Sequence, residues 1–528
     1  MQIKKTLISH TLPLGNLLLS KESHDYNEKL SLLNNVQEIL DDFVMDAKHH
    51  RVIGSSLAII YASDNENRGE DNSGVIPKFV QEFVELAQDF FEVSLLDITL
   101  LDNFSGSFGG FSTRFDSGNI VEFSQAVMFT YEEELLRFKG VYNVANFENA
   151  ETLLEVLCEN LGEYNYKDII SYKEDYCQYH HRREKHCSKC ADVCPTFGVG
   201  ANDNLMELAF SMVDCIGCGA CVGVCPTNCL EYEELPKEGL EEIIDLYREQ
   251  RIFLCALSDY EELCAQNVVL PESLTPMVLP NLLMLNENDL LTMLQTSGNG
   301  IVVYADTLSS PMEFLNNITQ QIYKKDFIVF VNNVESVLKA AQEIPSMEPY
   351  LYKNRYNKPF RESFAQRLQY IIKDNHFGLA ASVVRENSAP VFYGDIKVDA
   401  NKCTLCLSCV GACNVSALFA RSDDFSLRFN ASLCTTCGYC ITSCPENVME
   451  LSREGITLSA GYFKSREIAR DAPFLCIECG NPFSTQKSID KVVGMLSSAF
   501  SSDSKKLKTL QCCPDCKVKV MFGGEENA

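Results

Sequence analysis

The chain has 528 residues, 46% apolar and 22% charged, with a formal net charge of −28. That balance fits three or four globular domains and excludes a disordered chain, and the acidic excess excludes binding to a phosphate backbone, which needs a Lys and Arg surplus. Its 25 cysteines are spaced as metal ligands rather than as a disulfide framework, which predicts a reducing, cytoplasmic setting.

Taken in chain order, the opening residues carry Ser9, His10, Pro13, Gly15 and Asn16 where an export signal needs an unbroken apolar stretch, so none is expected. No stretch reaches the ~18 apolar residues of a membrane span, so any membrane role is expected to come through a partner. Residues 1–165 contain a single cysteine, Cys158, and read as a mixed α/β domain without an assigned role. Helical periods occur at LNNVQEILDDFVMDA and VIPKFVQEFVELAQDFF, and strand-like runs at SSLAIIYA, LLDITLLD and NIVEFSQAVMF. The glycine-rich piece from Phe104 to Phe111 lacks G-x-G-x-x-G spacing and reads as a turn.

Residues 166–235 form the first cysteine module. Cys215, Cys218, Cys221 and Cys225 make a complete C-x2-C-x2-C-x3-C run, and Cys187, Cys190 and Cys194 match the last three positions of another, with Glu184 at the missing one. Residues 236–345 alternate apolar strands with helices (RIFLCAL, PMVLPNLLML, NENDLLTMLQTSG, GIVVYAD, SPMEFLNNITQQIY, DFIVFVNN, VESVLKAAQEI), the pattern of a helix-covered parallel sheet. A linker region, 346–395, leads to the second module at 396–455, where Cys403, Cys406, Cys409 and Cys413 and then Cys434, Cys437, Cys440 and Cys444 form two complete runs. Cys190 and Cys221 are 31 residues apart, as are Cys409 and Cys440, which points to an internal duplication.

Three thiolates three residues apart wrap one face of a cubane, and the fourth reaches the neighbouring cluster. On that rule Cys403, Cys406, Cys409 and Cys444 hold one [4Fe-4S] cluster, and Cys434, Cys437, Cys440 and Cys413 the next. In the first module Cys215, Cys218, Cys221 and Cys194 hold one, while Cys187, Cys190 and Cys225 require a fourth ligand. Either Cys177 curls back to supply it, or the site carries a three-iron cluster. His180, His181 and His186 crowd the same loop and read as solvated residues, or as groups that tune a cluster.

In the tail, 470–528, Cys476 and Cys479 with Cys513 and Cys516 make two C-x-x-C knuckles suited to tetrahedral Zn2+, or to iron in a rubredoxin-like site. Cys512 reads as a spectator, and Cys158, Cys229, Cys255 and Cys264 as buried apolar residues.

Both modules are similar to the dicluster bacterial ferredoxin fold. The segment CQYHHRREKHCSKCADVCPT resembles multi-cluster ferredoxins associated with formate dehydrogenase, a resemblance that implies Cys177 as a ligand. CIECGNPFSTQKSIDKVVGMLSS with CCPDCK is similar to the C-terminal extension of the ferredoxin-like subunits of formate hydrogenlyase, and the middle segment echoes the small iron–sulfur subunit that joins hydrogenase to heterodisulfide reductase. The expectation is therefore an α/β and α+β multidomain electron-transfer protein, not an enzyme. Two dicluster modules flank a parallel α/β domain, with a zinc-ribbon-like tail. It carries four [4Fe-4S] clusters and one Zn2+ and exchanges electrons with formate dehydrogenase or a hydrogenase; the alternative is an assembly factor for formate dehydrogenase.

Overall fold

The computed structural model of the protein describes residues 13–62, 78–115, 118–351, 359–374, 382–383 and 392–522. The first twelve residues of the opening stretch, and 352–358, 375–381 and 384–391 of the linker region, lie outside these. The chain falls into two compact units. One runs to Asp289 and takes up Thr296–Thr307 and Val329–Pro349; the other holds Leu290–Gln295, Leu308–Ile328 and the chain from Tyr350 on.

The first unit begins with a parallel sheet in the order Glu92–Asp97, Ser56–Tyr61, Gln125–Met128, Val141–Asn143. Alternation along Ser56–Tyr61 sorts its side chains. Leu57, Ile59 and Tyr61 pack with Val80 and Phe83 of helix Lys78–Ala87 and with Leu153 and Leu157 of helix Ala150–Glu159. Ala58 and Ile60 face Phe108, Phe111 and Phe123 from the antiparallel sheet Leu101–Ser107, Gly110–Phe115, Ile120–Phe123. NIVEFSQAVMF, expected as one strand, is two strands in two sheets. Ser124 is the joint, its N–H donating to the Ser56 carbonyl at 2.9 Å.

The expected alternation between 236 and 345 is observed. Strands Thr275–Leu279, Ile252–Ala256 and Ile301–Tyr304 pair in parallel, with Ile328–Val331 beside the last. Ile252–Ala256 is buried along its whole length, as a central parallel strand requires. Asn286 starts helix Glu287–Ser297 by accepting the N–H groups of Asn288 and Asp289 at 3.0 and 3.1 Å.

The two cysteine modules share a skeleton. In the first, Ile170–Tyr172 pairs antiparallel with Leu230–Tyr232, and Val199–Asn202 with Glu207–Phe210. In the second, which lies in the other unit, Asp395–Val398 pairs with Met449–Ser452, and Leu418–Arg421 with Ser426–Phe429. The region read as a linker contains helix Phe360–Asp374, whose Phe360, Phe364, Leu368, Ile371 and Ile372 are buried. The tail opens with the hairpin Pro473–Leu475 and Pro482–Thr485, followed by helices Gln486–Leu496, Ser504–Thr509 and Pro514–Phe522. Among the described residues, no helix is long and apolar enough to cross a membrane.

Candidate metal centres

Each complete cysteine run folds as a tight turn around its first thiol. The N–H of Gly217 donates to Cys215 Sγ at 3.4 Å and that of Thr436 to Cys434 Sγ at 3.3 Å; the Leu405 N–H serves Cys403 in the same way. The turns enter the left-handed region twice per run, at Gly217 and Gly219, Leu405 and Leu407, Thr436 and Gly438. For leucine and threonine that conformation costs roughly 1–2 kcal/mol per residue, and it is kept because it aims N–H groups at sulfur. Short helices Lys189–Val193, Ala220–Gly223, Ser408–Ala412 and Tyr439–Thr442 then present Cys190, Cys221, Cys409 and Cys440.

These turns gather the thiols in fours. Cys403, Cys406, Cys409 and Cys444 line one cavity with about 330 Å³ of open space, and only Cys406 among them is exposed. Cys434, Cys437, Cys440 and Cys413 bear on one another electrostatically, as do Cys215, Cys218, Cys221 and Cys194. The last group is Cys177, Cys187, Cys190 and Cys225. The groups within a module adjoin, since Cys221 acts on Cys190 and Cys409 on Cys440. None of the 25 cysteines forms a disulfide. Burial, with the charge of sibling thiols, pushes Cys187, Cys409 and Cys434 each up to about 12. Four ionised thiols at one buried point repel one another and are costly to desolvate, and a multinuclear cation bridging them removes both penalties. The donor set therefore fits iron–sulfur clusters, which are held by four cysteine thiolates.

Cys177 holds the position that the sequence gap left open. It follows strand Ile170–Tyr172 by five residues, as Cys403 follows Asp395–Val398, and the N–H two residues on, that of Tyr179, donates to its sulfur at 3.3 Å. The first module differs by seven extra residues between Cys177 and Cys187, measured against Cys403 and Cys406. Glu184 lies exposed in that longer loop. His180, expected in solvent, is instead tucked edge-on against Tyr172 and pairs with Glu174 at 3.1 Å; His181 is exposed.

Two sets of side chains near the thiols escaped sequence reading. The Phe108 N–H, in the glycine-rich hairpin turn, donates at 2.8 Å to the buried carboxylate of Asp214, the residue before Cys215. The turn seats only because Gly140 has no Cβ, which would meet the Phe108 ring at 2.2 Å. Lys139 donates to the Cys215 carbonyl at 3.3 Å and Arg137 to the Cys194 carbonyl at 3.1 Å, so the N-terminal domain sets two cations beside this group. In the other unit the buried Arg361, stacked at 4.0 Å over Tyr393, acts on Cys434.

The second set surrounds Cys177. Cys229, expected to be an inert core residue, lies with its sulfur 3.5 Å from that of Cys225 and hydrogen-bonded to Cys177. The Cys229 thiol, with one hydrogen shared between them, holds Cys177 and Cys225 below the usual thiol range, against the opposing effect of burial. Cys158, Cys255 and Cys264 sit in hydrophobic cores.

In the tail, the sulfurs of Cys476, Cys479, Cys513 and Cys516 all lie within 4.8 Å of one another, and Cys479 and Cys513 are 3.8 Å apart. A tetrahedral ion with metal–sulfur bonds of ~2.3 Å spaces its ligands at ~3.8 Å. Burial opposes ionisation of Cys476, yet the N–H groups of Cys513, Cys479 and Glu478 hold it down at about 6. Gly480, with φ of 71°, closes the first knuckle, its N–H donating to the Cys476 carbonyl at 2.8 Å. Cys512 is fully buried and donates to the Lys508 carbonyl. The tail is tied to the second module: Thr485 donates to the Thr404 carbonyl at 3.0 Å, and Lys491 pairs with Glu446 at 2.5 Å.

Comparison with known families agrees with this geometry where it reaches. A 4Fe-4S dicluster domain matches residues 395–445, and a 4Fe-4S binding domain matches residues 210–231. The two matches mark these two segments as iron–sulfur domains of the ferredoxin type. Residues 177–194 lie outside both, and no curated protein matches the chain.

Proposed function

We propose that this chain is an electron-transfer protein of the cytoplasm in which sixteen cysteines hold four [4Fe-4S] clusters and Cys476, Cys479, Cys513 and Cys516 of the tail hold one Zn2+. Cys177, Cys187, Cys190 and Cys225 would hold the first cluster, with Cys177 as its fourth ligand. Cys215, Cys218, Cys221 and Cys194 would hold the second; Cys403, Cys406, Cys409 and Cys444 the third; Cys434, Cys437, Cys440 and Cys413 the fourth. The bound clusters would supply one-electron transfer; the tail ion would add folding energy without redox chemistry. The observation that carries the reading is the repeated turn. Cys177, Cys215, Cys403 and Cys434 each receive the N–H from two residues on, and each stands in a separate group of four thiols.

The chain's own residues keep these sites dry and fixed. Burial excludes water from most of the thiols, the aimed N–H groups favour thiolate over thiol, and Asp214 with Phe108 anchors the second group to the N-terminal domain. We further propose formate dehydrogenase or a hydrogenase as the redox partner, on the resemblance of the Cys177 segment and of the tail. Anaerobic purification of the tagged protein from its host tests this. Stoichiometric subunits of either enzyme are expected. A protein that arrives alone, and is not reduced by formate or hydrogen with either enzyme added, would overturn the partner assignment.

A further inference from the structure

The two modules place different side chains at equivalent positions beside their first group of thiols. Cys229 follows Cys225 by four residues and Val448 follows Cys444 by four, and Asn228 and Asn447 precede them with φ of 55° and 53°. The Cys229 carbonyl accepts the Lys173 N–H at 2.8 Å, and the Val448 carbonyl accepts the Asp399 N–H at 3.0 Å. On the paired strand, Tyr172 is opposite Leu230 as Val398 is opposite Met449. Val398 and Val448 line the cavity of Cys403, Cys406, Cys409 and Cys444 and offer it only methyl groups.

Around Cys177 the same two positions carry donors. The Cys229 thiol, 4% exposed, meets the sulfurs of Cys225 and Cys177, the first at 3.5 Å. The Tyr172 hydroxyl is buried beside the Cys177 sulfur without closing an ordinary hydrogen bond, and a buried hydroxyl left so calls for an acceptor. The Cys229 N–H also reaches Cys225 Sγ, at 3.3 Å. Hydrogen bonds to the sulfurs of a cluster stabilise its more negative, reduced form and so raise its reduction potential.

We propose that Tyr172 and Cys229 are positioning residues that donate hydrogen bonds to the sulfurs of the Cys177, Cys187, Cys190 and Cys225 site. They set its reduction potential above that of the matching site at Cys403, Cys406, Cys409 and Cys444. The proposal rests on the reading of both groups as [4Fe-4S] sites.

The test is a potentiometric titration of the full holoprotein followed by electron paramagnetic resonance, with iron counted on the same samples. The signal of the first site is identified as the one lost in Cys177→Ala. Cys229→Val and Tyr172→Phe are each expected to shift that signal to lower potential, with iron content unchanged and the other signals in place. Val448→Cys is expected to shift the matching second-module signal upward. An unmoved potential in both Cys229→Val and Tyr172→Phe, with full iron, would overturn the proposal. So would loss of about four irons in Cys229→Val, because the residue would then be a ligand and not a donor. A wild-type protein lacking iron at the first group would instead overturn the reading on which the proposal rests.

Discussion

The first and second cysteine modules are one design folded twice, and they differ where the first departs from the repeat. Val199 pairs with Phe210 in one and Leu418 with Phe429 in the other, at a constant offset of 219 residues, which also relates Cys190 to Cys409 and Cys225 to Cys444. The second module keeps its leading thiol three residues before the next. The first holds its leading thiol at the strand and spends seven more residues returning to Cys187. The place of a thiol in its group of four is therefore fixed by the strand that delivers it and by the N–H that caps it, and sequence spacing is only one way to reach it.

The largest expected effect follows from that difference. Cys177→Ala should remove the first cluster, about four irons per chain, while the signals of the other three persist; iron analysis with electron paramagnetic resonance checks this. Unchanged iron would mean that the long loop does not deliver a ligand. Next in size, Cys516→Ala or removal of the ion by a strong chelator should unfold the tail around Cys476 while the second module keeps its clusters. Protease sensitivity of 473–522 against retained visible absorbance distinguishes the two regions. Asp214→Ala strands the buried Phe108 N–H and should cost about 1–3 kcal/mol in denaturant unfolding. Its counterpart in the second module, Leu433, makes no such bond, so Leu433→Ala should leave the second-module signals at their wild-type potentials. The smallest effect concerns backbone conformation. Leu407→Gly relieves a left-handed leucine and should stabilise the second module by up to ~1 kcal/mol. Gly219→Ala, at a left-handed turn of the first module whose counterpart in the second is Gly438, brings a Cβ to 2.7 Å from Met284 and should destabilise the first module.

The groups of thiols were legible in the sequence because the spacing of cysteines within a run is itself a geometric requirement. Cys187 through Cys225 and Cys403 through Cys444 announce their groups without any knowledge of the fold. Local periodicity likewise revealed the four strands of 236–345 and the three helices after Asn286, but not helices Lys237–Leu246 and Leu257–Ala265. Contacts between distant residues were hidden. Phe108 and Asp214 are 106 residues apart, and nothing in a glycine-rich turn or a lone aspartate predicts that they meet. Cys229 has no ligand spacing and reads as an inert core residue, yet its place beside Cys177 follows from the strand pairing of Ile170–Tyr172 with Leu230–Tyr232. One signal could have exposed it: aligning the chain on itself at 219 residues sets Cys229 against Val448. The joint at Ser124 was hidden for a related reason, since a strand that changes sheets keeps its β-forming residues on both sides.

Iron and zinc analysis with Mössbauer spectroscopy of the protein purified anaerobically tests the four-cluster assignment most directly. About sixteen irons, all in cubane environments, and about one zinc per chain are expected. About fifteen irons with a three-iron signal, or about twelve with the group at Cys177 empty, would contradict it.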